Sequence, residues 1–321
     1  MILGSRGSRL ALAQTAWVRD RLMAAHPGLV IDVQVIRTTG DLQEAASPEA
    51  PARAKGSISI KGIFVKEIEE ALLEGRIQAA VHSLKDLPVE QPDGLVVSAV
   101  PAREDPRDVL VTRDGAGWSD LRAGARVGTG SLRRVAQLRA SRPDIVFEAV
   151  RGNVETRIRK MMEGLFDAVV LAAAGLLRLG LLAASGSRPA GGARILHLPE
   201  DLCLPAVGQG ALAIETRAAD RATRDLVVSL QDPATAAEVA AERAFLAALG
   251  GGCRTPVAAL ARAHPQGGSL TMQGVVADPE GSPIIRVSGQ GIVEEAERLG
   301  ARLASVAMKR GAAAILREGD A

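Results

Sequence analysis

Aromatic residues are almost absent from this sequence, which has four Phe, two Trp and no Tyr among 321 residues. Proteins that bind single-stranded nucleic acid stack bases on aromatic side chains, so the composition argues against that class. Cysteine is equally rare, with only Cys203 and Cys253. Their separation matches neither a disulfide framework nor a metal knuckle, and we expect a reduced chain without a metal site.

Long uncharged hydrophobic runs are also lacking. None approaches the roughly 20 residues of a membrane span. The N-terminal stretch MILGSRGSRLALAQT has no basic segment followed by an apolar stretch and a cleavage site. We therefore expect a cytoplasmic protein with no membrane contact. The net charge of only +2 argues against a general polyanion binder.

Arginine, in contrast, is abundant: 33 of the 39 cationic residues are Arg and only 6 are Lys. A guanidinium grips a carboxylate or phosphate through two parallel hydrogen bonds, whereas an ammonium is a point charge. Either anion binding or a GC-rich genome explains such a bias. Apolar residues make up 47% of the chain, so core material is plentiful and the length suits two or three domains.

The pattern along the chain predicts two α/β lobes and a smaller α+β domain. A short apolar segment at residues 1–5, a helical pattern at 10–25 and an alternating segment at 30–37 predict a strand–helix–strand unit. A similar unit starts near Arg126, and residues 204–217 are expected to cross back to the first lobe. Residues 38–59 lack a period, which indicates either a lid or a disordered segment. We expect lobe 1 at 1–101 with 203–228, lobe 2 at 102–202 and the third domain at 229–321.

The segment Thr129-Gly-Ser-Leu-Arg-Arg134 is the first candidate anion site. A Thr or Ser before an apolar-periodic run is typical of a helix N-cap, which places Arg133 and Arg134 in the first turn. The helix dipole disfavours cations there, so a bound anion would compensate them. Solvated surface arginines are the alternative.

A second basic loop strengthens the anion-site interpretation. Arg151-Gly152-Asn153 follows a predicted strand, Asn153 can cap the next helix, and Arg157 lies on that helix. Ligands of open α/β sheets bind beyond the carboxyl ends of the strands, where such loops gather. The N-terminal loop adds Arg6 and Ser8 in an equivalent position. Arginines converging from two lobes suit a small ligand with several carboxylates. Phosphate is the alternative, although the glycine spacing of a P-loop is absent.

Two further segments carry candidate chemistry. Lys85-Asp86 at the end of a predicted strand is either a surface turn or an acid–base pair in a cleft, and an Asp facing a basic cleft would stay ionised. Cys253 follows three glycines and precedes Arg254, which would favour its nucleophilic thiolate; a small buried residue is the alternative. Cys203 and His82 are interpreted as packed core and strand residues.

These segments resemble the porphobilinogen deaminase family across nearly the whole chain. The matching stretches are SRGSRLALAQT, KGIFVKEIEEALLEGRIQAAVHSLKDLP, VGTGSLRRVAQLR, RGNVETR, LAAAGLLRLG, LPAVGQGALAIE and GGGCRTPVAALA. The resemblance implies two lobes like those of periplasmic binding proteins, with a cleft between them, and a third domain carrying the cofactor. It also implies a transferase that joins four porphobilinogen molecules, with loss of ammonia, into the linear tetrapyrrole hydroxymethylbilane.

The resemblance further implies roles for individual residues. Cys253 would form a thioether to a dipyrromethane cofactor, and Asp86 would be the catalytic carboxylate that stabilises an azafulvenium-like electrophile. The remaining cofactor contacts would come from Lys85, Thr129, Ser131, Arg133, Arg134, Gly152 and Asn153. Substrate side chains would be bound by Arg6, Ser8, Arg151, Arg157 and Arg178. A monomer is the family expectation.

Three rival functions compete with this one. A binding protein of the periplasmic-receptor type would share the lobes and the basic cleft, but it would not need Cys253 on a glycine loop. A transcriptional effector domain would need a DNA-binding helical module, and no segment supplies one. An inactive paralogue would bind pyrroles without turnover. The sequence also departs from the family pattern at Gly130, where a serine is common, and at Ser59-Ile60, where two glycines are common.

Overall fold

The first lobe is built on a five-stranded sheet with helices packed against it. The computed structural model describes residues 1–39, 65–182, 192–251, 255–264 and 268–318. The strands are β1 (Ile2–Ser5), β2 (Asp32–Val35), β3 (Ala79–Ser83), β4 (Leu95–Ala99) and β10 (Leu212–Arg217), in the order β2-β1-β3-β10-β4. Around them lie α1 (Arg9–Ala25), α2 (Lys66–Leu73) and α6 (Arg221–Val227).

The second lobe has the same arrangement. Its strands are β5 (Asp108–Thr112), β6 (Arg126–Gly128), β7 (Val146–Glu148), β8 (Ala168–Ala172) and β9 (Arg194–His197), in the order β7-β6-β8-β5-β9. Its helices are α3 (Leu132–Ser141), α4 (Val154–Met162) and α5 (Ala173–Arg178). In each lobe four strands run in one direction and a fifth runs against them: β10 lies between β3 and β4, and β5 lies between β8 and β9.

The antiparallel strand of the first lobe, β10, is distant in sequence from the other four strands of its sheet. β10 follows the whole second lobe and inserts between β3 and β4 with Ala213 opposite His82. Its apolar residues explain the position, since Leu212 and Ile214 pack with Leu3 and Val81 in the core of the first lobe. The predicted return crossing at residues 204–217 is therefore confirmed.

The third domain is a three-stranded antiparallel sheet covered by helices. It comprises β11 (Val257–Ala263), β12 (Ser269–Ala277), β13 (Ile284–Ile292), α7 (Pro233–Ala248), α8 (Ala296–Lys309) and α9 (Ala312–Glu318). The side chain of Asp232 accepts a hydrogen bond from the Thr235 amide at 2.7 Å and caps α7, with Pro233 in the first turn. Phe245 is fully buried at the centre of this core.

This architecture confirms the predicted fold class of two α/β lobes and a smaller α+β domain. The exact domain boundaries at 101/102, 202/203 and 228/229 stay a prediction. No helix in the described part of the chain is both long and apolar enough to cross a membrane.

Candidate functional site

A small cavity opens where β1 and β3 of the first lobe end. Parallel strands present their carboxyl ends at one edge of the sheet, so the loops that follow them meet there. The loop after β1 contributes Arg6 and Ser8, and the turn after β3 contributes Asp86. Arg6, Ser8 and Asp86 therefore line one cavity, and their roles in binding and catalysis stay predictions.

Asp86 lies at the end of a short 3₁₀ turn, Leu84–Asp86, directly after β3. The turn is anchored to the core of the protein, because Leu84 and Leu87 are buried. In addition, the Leu84 amide donates to the Ala211 carbonyl at 3.0 Å. Asp86 itself is exposed at the cavity. The fold thus holds the backbone of the turn firmly while it presents the carboxylate to solvent and to ligand.

Ser8 and Gln14 order the part of the cavity lining that α1 and its N-cap contribute. The Ser8 hydroxyl accepts from the Ala11 amide at 3.2 Å and caps α1. Further along α1, the Gln14 side chain exchanges hydrogen bonds with the Ser83 hydroxyl at 3.0 and 3.1 Å. This polar contact ties α1 to the end of β3, next to the Asp86 turn.

Arg133 and Arg134 are buried in the second lobe, with exposed fractions of 4% and 6%. The Arg133 Nη1 donates to Asp108 Oδ2 at 2.6 Å and to the Leu204 carbonyl at 2.7 Å. The Arg134 Nη2 donates to Asp108 Oδ1 at 2.7 Å, and its Nη1 donates to the Val170 carbonyl at 2.8 Å. Burial excludes the alternative that these are solvated surface arginines.

The positive charges of Arg133 and Arg134 are partly neutralised by Asp108. From the sequence alone we expected a bound anion to neutralise them. Asp108 is fully buried at the start of β5 and also accepts from Gln209 Nε2 at 2.9 Å. Burial opposes its ionisation, but the charges and hydrogen bonds of Arg133 and Arg134 hold the pKa of the Asp108 carboxyl well below its usual range. Two guanidinium groups therefore share one carboxylate, which leaves a positive excess.

Lys85 brings a third cation to the same place. Burial is the main reason why the pKa of Lys85 falls to about 8, and the nearby charges of Arg134 and Arg133 lower it further. Asp86 and Asp108 act in the opposite direction. Because Lys85 belongs to the first lobe and the arginines to the second, this cluster spans the cleft between the lobes.

The basic loop after β7 is shaped by two hydrogen bonds. Asn153 caps α4 by accepting from the Thr156 amide at 2.9 Å, which confirms its predicted capping role. Gly152 has a φ of +107°, and a Cβ there would lie 2.7 Å from the Thr156 side chain. Only glycine fits this position without strain. Its carbonyl accepts from Arg157 Nε at 2.6 Å, while Arg151 is exposed.

The Thr129-Gly-Ser131 turn differs in one detail from the expected capping. Ser131 occupies the N-cap position of α3, but its side chain accepts no capping hydrogen bond. The buried Thr129 hydroxyl instead accepts from the Ser131 amide at 3.3 Å. The Ser131 hydroxyl is thus not engaged in a cap, which leaves its predicted ligand role compatible with the turn.

Arg178, at the end of α5, reaches from the second lobe to the chain that crosses between the lobes. Its Nη2 donates to the Gly210 carbonyl at 2.7 Å. Burial lowers the pKa of Arg178 to about 10, and the charge of Glu104 partly offsets this effect. Arg178 therefore lies at the junction of the lobes, and its predicted contact with substrate stays a prediction.

The remaining residues singled out in the sequence fall into two groups. Cys203 is 1% exposed, and burial together with the charge of Asp108 raises the pKa of its thiol to about 12, so its interpretation as a core residue is confirmed. His82 is likewise a packed strand residue, 3.2 Å from Glu215. Cys253 and most of the predicted lid at 38–59 lie outside the described residues.

Asp108 and Gln209 are site residues that the sequence reasoning missed. Asp108 lies 25 positions before Arg133, and no local pattern connects the two. The one available signal was an acidic residue opening an otherwise apolar strand, DVLVT, which is a costly place for a charge without a partner.

The described residues fit a ligand that carries several carboxylates. Lys85, Arg133 and Arg134 face a single buried carboxylate, Asp108, and the Arg133 Nε is buried with no hydrogen-bond partner in the described part of the chain. Such an unpaired donor is costly unless a ligand or water accepts from it. The cluster thus suits a ligand that carries several acidic side chains.

Fold and site together define a two-lobed α/β protein that binds a small polyanionic ligand in a cationic cleft and presents one carboxylate to it. Residues 1–225 match the family model described as porphobilinogen deaminase, dipyromethane cofactor binding domain, and residues 236–309 match porphobilinogen deaminase, C-terminal domain. The chain belongs to the porphobilinogen deaminase family.

Two curated relatives illustrate the similarity. Porphobilinogen deaminase of Syntrophobacter fumaroxidans is 45% identical over 316 residues, which cover 98% of this chain and 96% of the relative. That of Sorangium cellulosum is 48% identical over 307 residues, covering 94% and 96%. Among solved structures, a ligand-binding component of an ABC-type import system from Staphylococcus aureus aligns over 76% of this chain and 72% of that one, with 11% identity and a TM-score of 0.39. That TM-score is too low to support a functional argument.

Proposed function

We propose that this chain converts four molecules of porphobilinogen and one of water into hydroxymethylbilane and four molecules of ammonia, using a dipyrromethane cofactor on Cys253. Family membership supports the reaction. The observation that supports assigning the reaction to particular residues is the cluster of Lys85, Arg133 and Arg134. This cluster spans the cleft and lies beside the exposed Asp86. When bound, the cofactor supplies the pyrrole end onto which the chain is built.

The cationic cluster holds the acidic side chains of the cofactor. Arg133 and Arg134 are preoriented by Asp108, so little conformational entropy is lost when an anion binds. Backbone and side-chain groups of the turns before α3 and α4 complete the contacts, with Thr129, Ser131, Gly152 and Asn153 as the proposed partners. Lys85 adds its charge from the other lobe.

Asp86 acts on the incoming substrate. Its carboxylate stabilises the positive charge that develops on the substrate pyrrole as the carbon–nitrogen bond to the departing ammonia breaks. Arg6, Ser8, Arg151, Arg157 and Arg178 bind the acetate and propionate groups of substrate and product. These groups accumulate as the chain grows, which is why one compensating carboxylate among several cations suits the site.

Product analysis tests this proposal directly. Purified protein is incubated with porphobilinogen, and ammonia release and the product mass are followed together. We expect one linear tetrapyrrole for every four ammonia molecules released. Porphobilinogen that is bound but recovered unchanged would favour the rival binding-protein function.

We also propose that the protein works as a monomer in the cytoplasm. The buried, free thiol of Cys203 is typical of a reducing compartment. Light scattering coupled to gel filtration tests the oligomeric state, and a mass near 33.3 kDa is expected.

A further inference from the structure

Arg243 connects the third domain to the turn that carries Asp86. It lies in the second half of α7, and its Nη2 donates to the carbonyl oxygens of Pro88 and Val89, both at 2.7 Å. Its Nη1 lies 3.4 Å from the Leu87 carbonyl. The three carbonyls belong to the residues that follow Asp86 in the chain.

These hydrogen bonds add to the contacts that already fix the turn, in which Leu84 and Leu87 are buried. On the near side, the Asp86 turn is fixed by Leu84, whose amide bonds to Ala211, the residue just before β10. On the far side, Pro88 has no amide hydrogen, so its backbone can be held only through the carbonyl. Arg243 supplies a donor to it, and Gln91 adds a second at 2.8 Å.

The helix that carries Arg243 is itself firmly anchored. The neighbouring Glu242 is fully buried and accepts from the Gly208 amide at 2.7 Å and the Ala261 amide at 2.9 Å. It also binds Arg103 through both oxygens. α7 is therefore fixed to the crossing segment and to β11, and it ends at Ala248, close in the chain to Cys253.

We propose that Arg243 is a positioning residue, which sets the position of Asp86 relative to the third domain by holding residues 87–89 from α7. The inference rests on the roles proposed for Asp86 and Cys253. Those two residues lie on different domains, yet they must act on the same pyrrole. A displacement of about 1 Å at a reacting centre can cost about 100-fold in rate, so a helix of the third domain that holds the chain next to Asp86 has a clear use.

Variants of Arg243 separate positioning from mere structural support. Arg243→Met removes the donors, and Arg243→Lys keeps the charge but loses the planar fork that reaches several carbonyls. Arg298→Lys is the matched control, because Arg298 is an exposed residue of the same domain that pairs with Glu295. All are made in the full chain, and urea unfolding checks that each is folded.

Two measurements distinguish the roles. In a cofactor-free Cys253→Ala background, hydrogen exchange should be faster in the peptide covering residues 84–92 for Arg243→Met and unchanged for Arg298→Lys. In loaded protein, kcat should fall about 10- to 100-fold while KM stays within about twofold of the parent, because the substrate-binding arginines are untouched. The kcat of Arg243→Lys should lie between those of the parent and Arg243→Met.

The opposite results would overturn the inference. Unchanged exchange at residues 84–92, an unchanged kcat, or a parallel rise of KM with lost folding stability would each show that Arg243 does not position the turn. These outcomes leave the proposed function intact if the parent protein carries pyrroles on Cys253 and makes tetrapyrrole. A parent without pyrroles or turnover would instead refute the function itself.

Discussion

Asp86 and Lys85 are neighbours in the chain, but their surroundings differ at the scale of the single residue. Asp86 projects into the open cavity, whereas Lys85 is partly buried among charges from the second lobe. A carboxylate at the open cavity is accessible to an incoming ligand. An ammonium group held between the lobes is a fixed contact for an anion. The two residues are thus suited to different tasks.

Asp86→Asn should nearly abolish tetrapyrrole formation. The amide keeps the size of the side chain but carries no negative charge to stabilise a developing cation. Because Asp86 is exposed, the free energy of unfolding should change by less than about 0.5 kcal/mol. Asp93→Asn, at another exposed aspartate of the first lobe, is the control and should retain activity. Near-normal turnover in Asp86→Asn would remove Asp86 from its proposed role.

Lys85 should lose its proton at an unusually low pH in cofactor-free protein. Its pKa of about 8 means that the ammonium predominates below that pH and is lost as the pH rises through it. Lys85 should therefore attract carboxylates less strongly as the pH rises past its pKa. Competitive acylation with peptide mapping in Cys253→Ala protein checks this, with the exposed Lys66 as the internal reference. A Lys85 that titrates together with Lys66 would contradict the prediction.

At the scale of elements, β5 and α3 are joined by a buried ion cluster. Asp108 opens β5, and Arg133 and Arg134 lie at the start of α3, so one carboxylate locks the first turn of a helix to the central antiparallel strand. Gln209 extends the network into the segment that crosses between lobes, through its 2.9 Å bond to Asp108. The anion site and the crossing segment therefore share one buried anchor.

Asp108→Asn should destabilise the protein strongly. Removing the carboxylate leaves two buried guanidinium groups without a charge partner, a change that typically costs about 3–5 kcal/mol. Glu148→Gln is the matched control, because the Arg126–Glu148 pair is exposed and should contribute little to the free energy of unfolding. Urea unfolding of both variants measures the difference. Equal, small effects would show that the cluster does not anchor α3 to β5.

The elements themselves were largely predictable from the sequence. The patterns at residues 1–5, 10–25 and 30–37 predicted β1, α1 and β2 to within a few residues. What local pattern did not supply was the partner of a buried charge. Arg133 meets Asp108 only because the sheet order places β5 beside β8, and that neighbourhood is a property of the assembled lobe.

At the scale of the whole molecule, two lobes of equal topology are joined by segments that also contact the third domain. β10 returns to the first lobe after the second is complete, and the segments around Arg103 and Gly208 meet the third domain at Glu242. The three units are thus linked at one junction close to the cleft. This arrangement gives the third domain a fixed position next to the two lobes.

Covalent attachment of the primer to Cys253 is tested most directly by the intact mass of the purified protein, followed by peptide mapping around that residue. We predict a mass that exceeds the chain by two linked pyrrole units, all of it on the peptide containing Cys253, and no added mass in Cys253→Ala. An unmodified mass from a host that makes porphobilinogen, with no adduct gained when the protein is then given porphobilinogen, would contradict it.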